Sequence, residues 1–230
     1  MRSYAPVQSA PVALNKSTEA QVYTLFAFAM ALTVVGVYVG MLFAPMLLNS
    51  GAIFGLIVVE LIIIFTARLW QNQTPLNYLL FGVFPVISGI TITPLLIHTL
   101  TGYANGPSIL MNALSATVFM AGAAAVFART TSWNLSVMGK ALFFAIIGLI
   151  GVGILQFFIP ALRSTQMELM ISGAGVVVFA LFTAYDVQRI QALGRAGASP
   201  FLLAISLYLD IFNLFLYILR FMLVLYGDRR

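Results

Sequence analysis

Asp186 and Asp210 are the residues of this chain whose type and spacing could do chemistry. Each sits well inside a long apolar run, GAGVVVFALFTAYDVQRIQAL and FLLAISLYLDIFNLFLYILR, and the two runs are parted by a break holding Gly194, Gly197 and Pro200. Asp186 stands twelve residues before Ala198 and Asp210 twelve residues after it. Antiparallel helices hinged there bring both carboxylates to one level, at most roughly 18 Å from the hinge at 1.5 Å per residue. Two acids at matched depth in an apolar hairpin are costly and need an explanation. At about 5 Å and an effective dielectric near 20, two ionised carboxylates repel by roughly 3 kcal/mol. The pair is therefore expected to share one proton. Losing it pushes the two helices apart, so the pair is a pH-dependent latch if the helices have a second arrangement. The same oxygens suit a hard cation such as Ca²⁺, with Glu60, Asn213 and water completing a weak site.

Other polar residues fall into register with the pair. Ser206, Asp210, Asn213, Tyr217 and Arg220 are spaced 4, 3, 4 and 3, which lines them along one helical face. Such a stripe faces protein or water rather than lipid, and it serves either an ion path or a hydrogen-bonded structural seam. Arg189 is one turn beyond Asp186 and is a counter-ion or latch candidate. Arg68 is a second one: it reaches toward the pair from an earlier helix, or it anchors that helix at the cytoplasmic surface. Glu60 lies in the middle of its run, either protonated and hydrogen-bonded or part of an ion path. His98 reads as an interfacial histidine. One histidine and no cysteine leave nothing for an ordinary zinc site. No Gly-x-Ser-x-Gly, P-loop or Rossmann pattern is present, so the chain reads as a non-enzyme without a cofactor.

The elements that position these residues are membrane helices. Of 230 residues, 62% are hydrophobic and 7% charged. A soluble domain carries about 25% charged residues, so this composition cannot cover a water-facing surface. The formal charge of +5 is scattered over the ends of apolar runs. That pattern suits membrane topology and argues against nucleic-acid binding. Residues 1–20 read as a polar cytoplasmic tail with no cleavable signal peptide. Residues 21–230 read as one transmembrane domain. Runs near 22–48, 51–70, 77–100, 108–128, 137–159, 167–193 and 200–226 have about the 20-residue length that a crossing needs, which gives seven spans.

Orientation follows from the basic residues of the connections. With the N-terminus inside, Arg2, Lys16, Arg68, Arg129, Lys140, Arg189 and Arg195 are cytoplasmic, against Arg163, Arg229 and Arg230 outside. The Asp-bearing hairpin then opens toward the cytoplasm. Gly36 with Gly40, Ala121 with Ala125 and Ala141 with Ala145 form small-xxx-small pairs that let helices approach closely. Pro85 and Pro94 are expected to kink the third span.

The segments FTAYDVQRI (182–190) and SLYLDIFNLFLYILR (206–220) resemble the two C-terminal signatures of the transmembrane Bax-inhibitor-motif family. Val187 stands where that motif commonly has Thr. The resemblance implies an all-α bundle of seven transmembrane helices, the last one central and two three-helix groups around it. It further implies a pH-sensitive calcium leak channel, with Asp186 and Asp210 matching the family's paired aspartates and Ca²⁺ as the transported ion. Arg68 is then the candidate for the basic residue of the second helix that latches the pair. The compact loops resemble bacterial members, which places the expected location in the inner membrane and transfers no role in apoptosis. The alternative within the same family is a non-conducting regulator that binds membrane proteins such as a quality-control protease.

Overall fold

The computed structural model describes residues 16–196 and 198–227, and among them there are helices and no strand. In chain order the α-helices are α1 (Lys16–Leu42), α2 (Ala44–Asn49), α3 (Ala52–Phe65), α4 (Ala67–Trp70), α5 (Leu76–Gly102), α6 (Gly106–Thr130), α7 (Gly139–Phe158), α8 (Thr165–Arg195) and α9 (Pro200–Tyr226). Short 3₁₀ turns, Leu135–Met138 and Pro160–Arg163, flank α7. Six of the helical segments are long and apolar enough to cross a bilayer, and large side chains such as Phe65, Phe119 and Phe158 stand exposed on the outside. A surface of that kind is stable only against lipid, so the chain is an integral membrane protein.

Sequence chemistry accounts for the breaks. Pro45 in the first turn of α2 cannot continue the hydrogen-bond ladder of α1, so the first long helix runs from Lys16 to Leu42 rather than over 22–48. It thus starts inside the segment expected to be a tail; Arg2 and most of that tail lie outside the described residues, as do Arg229 and Arg230. Gly51 adopts a left-handed φ of 66°, a turn that favours glycine, and α3 begins after it. The run expected as one span over 51–70 is two helices. The first of them has 14 residues, roughly 21 Å, against a hydrocarbon core of about 30 Å. The break is at Thr66, whose hydroxyl donates to the Ile62 carbonyl, while the Trp70 indole donates back to Ile63 O at 3.1 Å. Both prolines of the third expected span are accommodated inside a continuous α5. The Ser164 side chain caps α8, and Pro200 opens α9 at a position where a missing N–H is harmless.

Two interfaces set the geometry. Between α1 and α5, a Cβ on Gly36 would fall 2.1 Å from Val86 O, and one on Gly40 2.2 Å from Thr93 Oγ1. A Cβ on Gly89 would lie 2.2 Å from Thr33 O. The backbones therefore touch, as the small-xxx-small spacing predicts, and residue numbers rise together along the two helices: they are parallel. Between α8 and α9, Gly173 meets Phe221 and Gly175 meets Tyr217, so this pair is antiparallel. α9 also packs on α1, α6 and α5 and buries Tyr208, Asp210, Leu214 and Leu219. α7 is the least enclosed of the long helices.

Candidate functional site

The antiparallel α8–α9 hairpin brings the two aspartates together. Asp186 is 2% exposed and Asp210 is 5% exposed. Their carboxyl groups face one another within hydrogen-bonding reach, and Ser206, one turn before Asp210, also faces Asp186. The Oδ2 atom of each aspartate is buried with no donor. An ionised carboxylate only accepts, so two of them side by side leave both oxygens unsatisfied, whereas one carboxylic O–H between them serves both.

Among the described residues, one cation stands beside the pair. Arg189 Nη1 is 3.5 Å from Asp186 Oδ1, and its side chain is 40% exposed. That distance is at the long end of a hydrogen bond, and the guanidinium lines an open cavity of about 250 Å³ with Asn134, Ser136, Tyr185 and Gln188. Gln188 fixes the far wall: its Oε1 accepts from Leu135 N at 2.7 Å and its Nε2 donates to Trp133 O at 2.9 Å. The connection from α6 to α7 is thereby stapled to α8 two residues beyond Asp186.

The rest of the polar stripe follows the α8–α9 seam away from that cavity. Asn213 donates to Leu209 O of its own helix at 2.7 Å. The Tyr217 ring stacks on Phe179, centroids 5.5 Å apart, above Gly175. Arg220 donates to Glu168 Oε2 at 2.8 Å, and Gln156 donates to the other oxygen of that carboxylate at 2.6 Å. Arg163 joins the cluster by donating to Gln156 O, and the group lines a second open cavity of about 660 Å³. Glu168 lies 18 residues before Asp186, roughly 27 Å along the helix. One polar, open cavity thus meets the seam at Glu168 and Arg220, and the other lies beside α8 at Arg189. Glu168 and Gln156 were not singled out from the sequence, where they sit at the ends of apolar runs. The signal for them was Arg220, an intramembrane cation that needs an anion.

The structure separates the remaining candidates from the pair. Ser88 Oγ donates to Glu60 Oε1, and Thr91 also faces that carboxylate. Ser88 is next to Tyr208, whose hydroxyl is 2.8 Å from Thr33 Oγ1. Glu60 therefore belongs to a polar node joining α3, α5, α9 and α1. Arg68 is exposed and makes no ion pair with either aspartate; Arg189 takes that place. His98 is exposed and edge-on to Tyr103 near the end of α5. Among the described residues no three His, Cys, Asp or Glu side chains gather as a metal site. Of the carboxylates on the seam, Glu168 is taken by Arg220 and Gln156, whereas Asp186 and Asp210 face one another.

Residues 16–226 match the family described as "Inhibitor of apoptosis-promoting Bax1". An uncharacterized protein of Campylobacter jejuni is 35% identical over 202 residues, covering 87% of this chain and 85% of its own length. One from Helicobacter pylori strain J99 is 30% identical over 207 residues, covering 90% and 86%. Inner membrane protein YbhL of Escherichia coli K12 is 30% identical over 194 residues, covering 79% and 77%.

Proposed function

This chain belongs to the Bax inhibitor family, and from that premise we propose that it is a pH-sensitive leak channel for Ca²⁺ in a bacterial inner membrane, gated by Asp186 and Asp210. The observation that carries the reading is the facing pair of buried carboxyls, each with an Oδ2 that meets no donor. With one proton between them the pair is neutral enough to stay closed against α8 and α9. With that proton gone, two negative charges in a low-dielectric seam repel by several kcal/mol, and the helices part. The same two carboxylates then offer a hard, hydrated cation its first oxygen ligands. Flux is accordingly expected to rise with pH. The ion is cargo, and no cofactor or reaction chemistry is part of the proposal.

Topologically the proposal is a seven-crossing bundle with the N-terminus in the cytoplasm and the last helix at its centre, two three-helix groups around it. Its support is the parallel packing of α1 on α5. Two parallel crossings need a return between them, and α3 with α4, from Ala52 to Trp70, is the segment available to make it. The burial of α9 and its packing on four other helices support the central position. The excess of Lys and Arg on the side of the Asp pair supports the orientation.

A second reading, a non-conducting regulator that binds other membrane proteins, draws on α7. Its Phe143, Phe144, Ile147 and Ile150 are exposed to lipid and free to meet a partner helix. Calcium flux into liposomes carrying the purified protein, between about pH 5 and 8, separates the two. The channel reading expects flux above protein-free liposomes that increases with pH. Folded protein with no such flux would leave the regulator.

A further inference from the structure

The seam between α8 and α9 buries the carboxylate pair toward one end and meets the open Glu168–Arg220 cavity at the other. From the carboxylate pair toward the Glu168–Arg220 cavity, the stripe on α9 passes Asn213 and then Tyr217. At Tyr217 the seam is filled by the ring itself, packed on Gly175 and Phe179. The ring lies over the buried Gly175, so closely that a Cβ there would fall 2.2 Å from its Cδ1. Its other neighbour is Phe179, 6% exposed, stacked at an interplanar angle of 23°. One turn further on, Arg220 and the large cavity begin.

We infer that Tyr217, seated on Gly175 and stacked on Phe179, is the plug of the ion path: the ring that separates the Asp186–Asp210 compartment from the outer cavity. This rests on the conduction reading above and adds to it the place where the path is shut. Three features make the ring a movable closure rather than ordinary core. Tyr217 is only part-buried, so its ring has space to leave. Glycine at 175 is the one residue type that lets the ring drop to the α8 backbone. The contact also spans the two helices that the carboxylate pair pushes apart, so any separation of α8 from α9 lifts the ring from its seat. An aromatic ring closing a narrow seam excludes a hydrated cation by leaving no oxygen to replace its water, the physics of a dewetted constriction.

The chain contains no cysteine, so a single engineered one is its only thiol. Asn213→Cys places that thiol between the pair and the ring. A small, charged methanethiosulfonate reagent is applied to sealed membrane vesicles from the side of Arg220. The expected result is slow labelling in Asn213→Cys alone. Adding Tyr217→Ala is expected to accelerate it at least tenfold, while adding Tyr217→Phe leaves it slow, because the ring and not the hydroxyl makes the seal. Phe179→Ala, which removes the ring's support, is the second opening variant, should Tyr217→Ala not fold. Fast labelling of Asn213→Cys alone would overturn the proposal. So would equal rates with and without the ring, or fast labelling with Tyr217→Phe. Labelling needs no calcium current: a ring-dependent rate without flux in any variant would sink the channel and keep the plug. Flux in the parent with ring-independent labelling would do the reverse.

Discussion

Among the described residues, Arg189 is the cation that shares the carboxylate pair's surroundings, and it does so at 3.5 Å from a half-exposed position. A positive charge there favours the ionised form of Asp186, so removing it should make the shared proton harder to lose. Arg189→Gln is expected to move the midpoint of pH-dependent flux upward, and Arg189→Lys to move it less. Flux–pH profiles of the reconstituted variants check this; an unchanged midpoint would say that solvent already screens the guanidinium. At this scale the pair itself was legible from equal spacing about Ala198, because a helical hairpin converts equal counts into equal depth. The role of Arg68 was not legible. Its place depends on where α4 turns away from α3, and Thr66 and Trp70 decide that through contacts that have no period in the sequence.

Among the elements, the α1–α5 contact leaves no room for a side chain. Gly36→Val should force the two backbones apart and cost about 1–3 kcal/mol or more, as overpacking of a tight contact does. Thermal unfolding in detergent would show this as a drop of several degrees in Tm. Gly55→Ala is the matching control, since a Cβ there meets nothing within 4 Å, and its Tm is expected to hold or rise. The Gln188 staple makes a separate claim about the connection from α6 to α7. Gln188→Leu removes the acceptor from Leu135 N–H, worth about 1 kcal/mol, and amide exchange at Leu135 should quicken by roughly fivefold to tenfold. Exchange at parental speed would mean that the 3₁₀ turn holds itself. The glycine contact was readable as a small-xxx-small pair in an apolar helix. The staple was not, because Gln188 and Leu135 are 53 residues apart and neither belongs to a repeating pattern.

For the whole molecule, composition alone required a membrane: a chain with 7% charged residues cannot dress its surface for water. The number of crossings was harder to read, because hydropathy marks apolar length and cannot see that Thr66 divides the second run into two short helices. Parallel α1 and α5 call for a return between them, and the seven-crossing proposal built on that makes a prediction about sidedness. With seven crossings, tags at the two chain ends fall on opposite sides of the membrane, the N-terminal one in the cytoplasm. Protease protection in inverted and right-side-out vesicles reads this directly, and two tags on one side would contradict the seven-crossing proposal. The central claim is that the proton shared by Asp186 and Asp210 controls the passage of Ca²⁺ along the α8–α9 seam. Its most direct measurement is Ca²⁺ flux in liposomes as a function of pH, with the parent and Asp210→Asn run side by side. The Asn amide satisfies Asp186 without a titrating proton, so the account predicts flux that rises with pH in the parent and stays low and flat in the variant. A variant that keeps the parent's pH profile would contradict it.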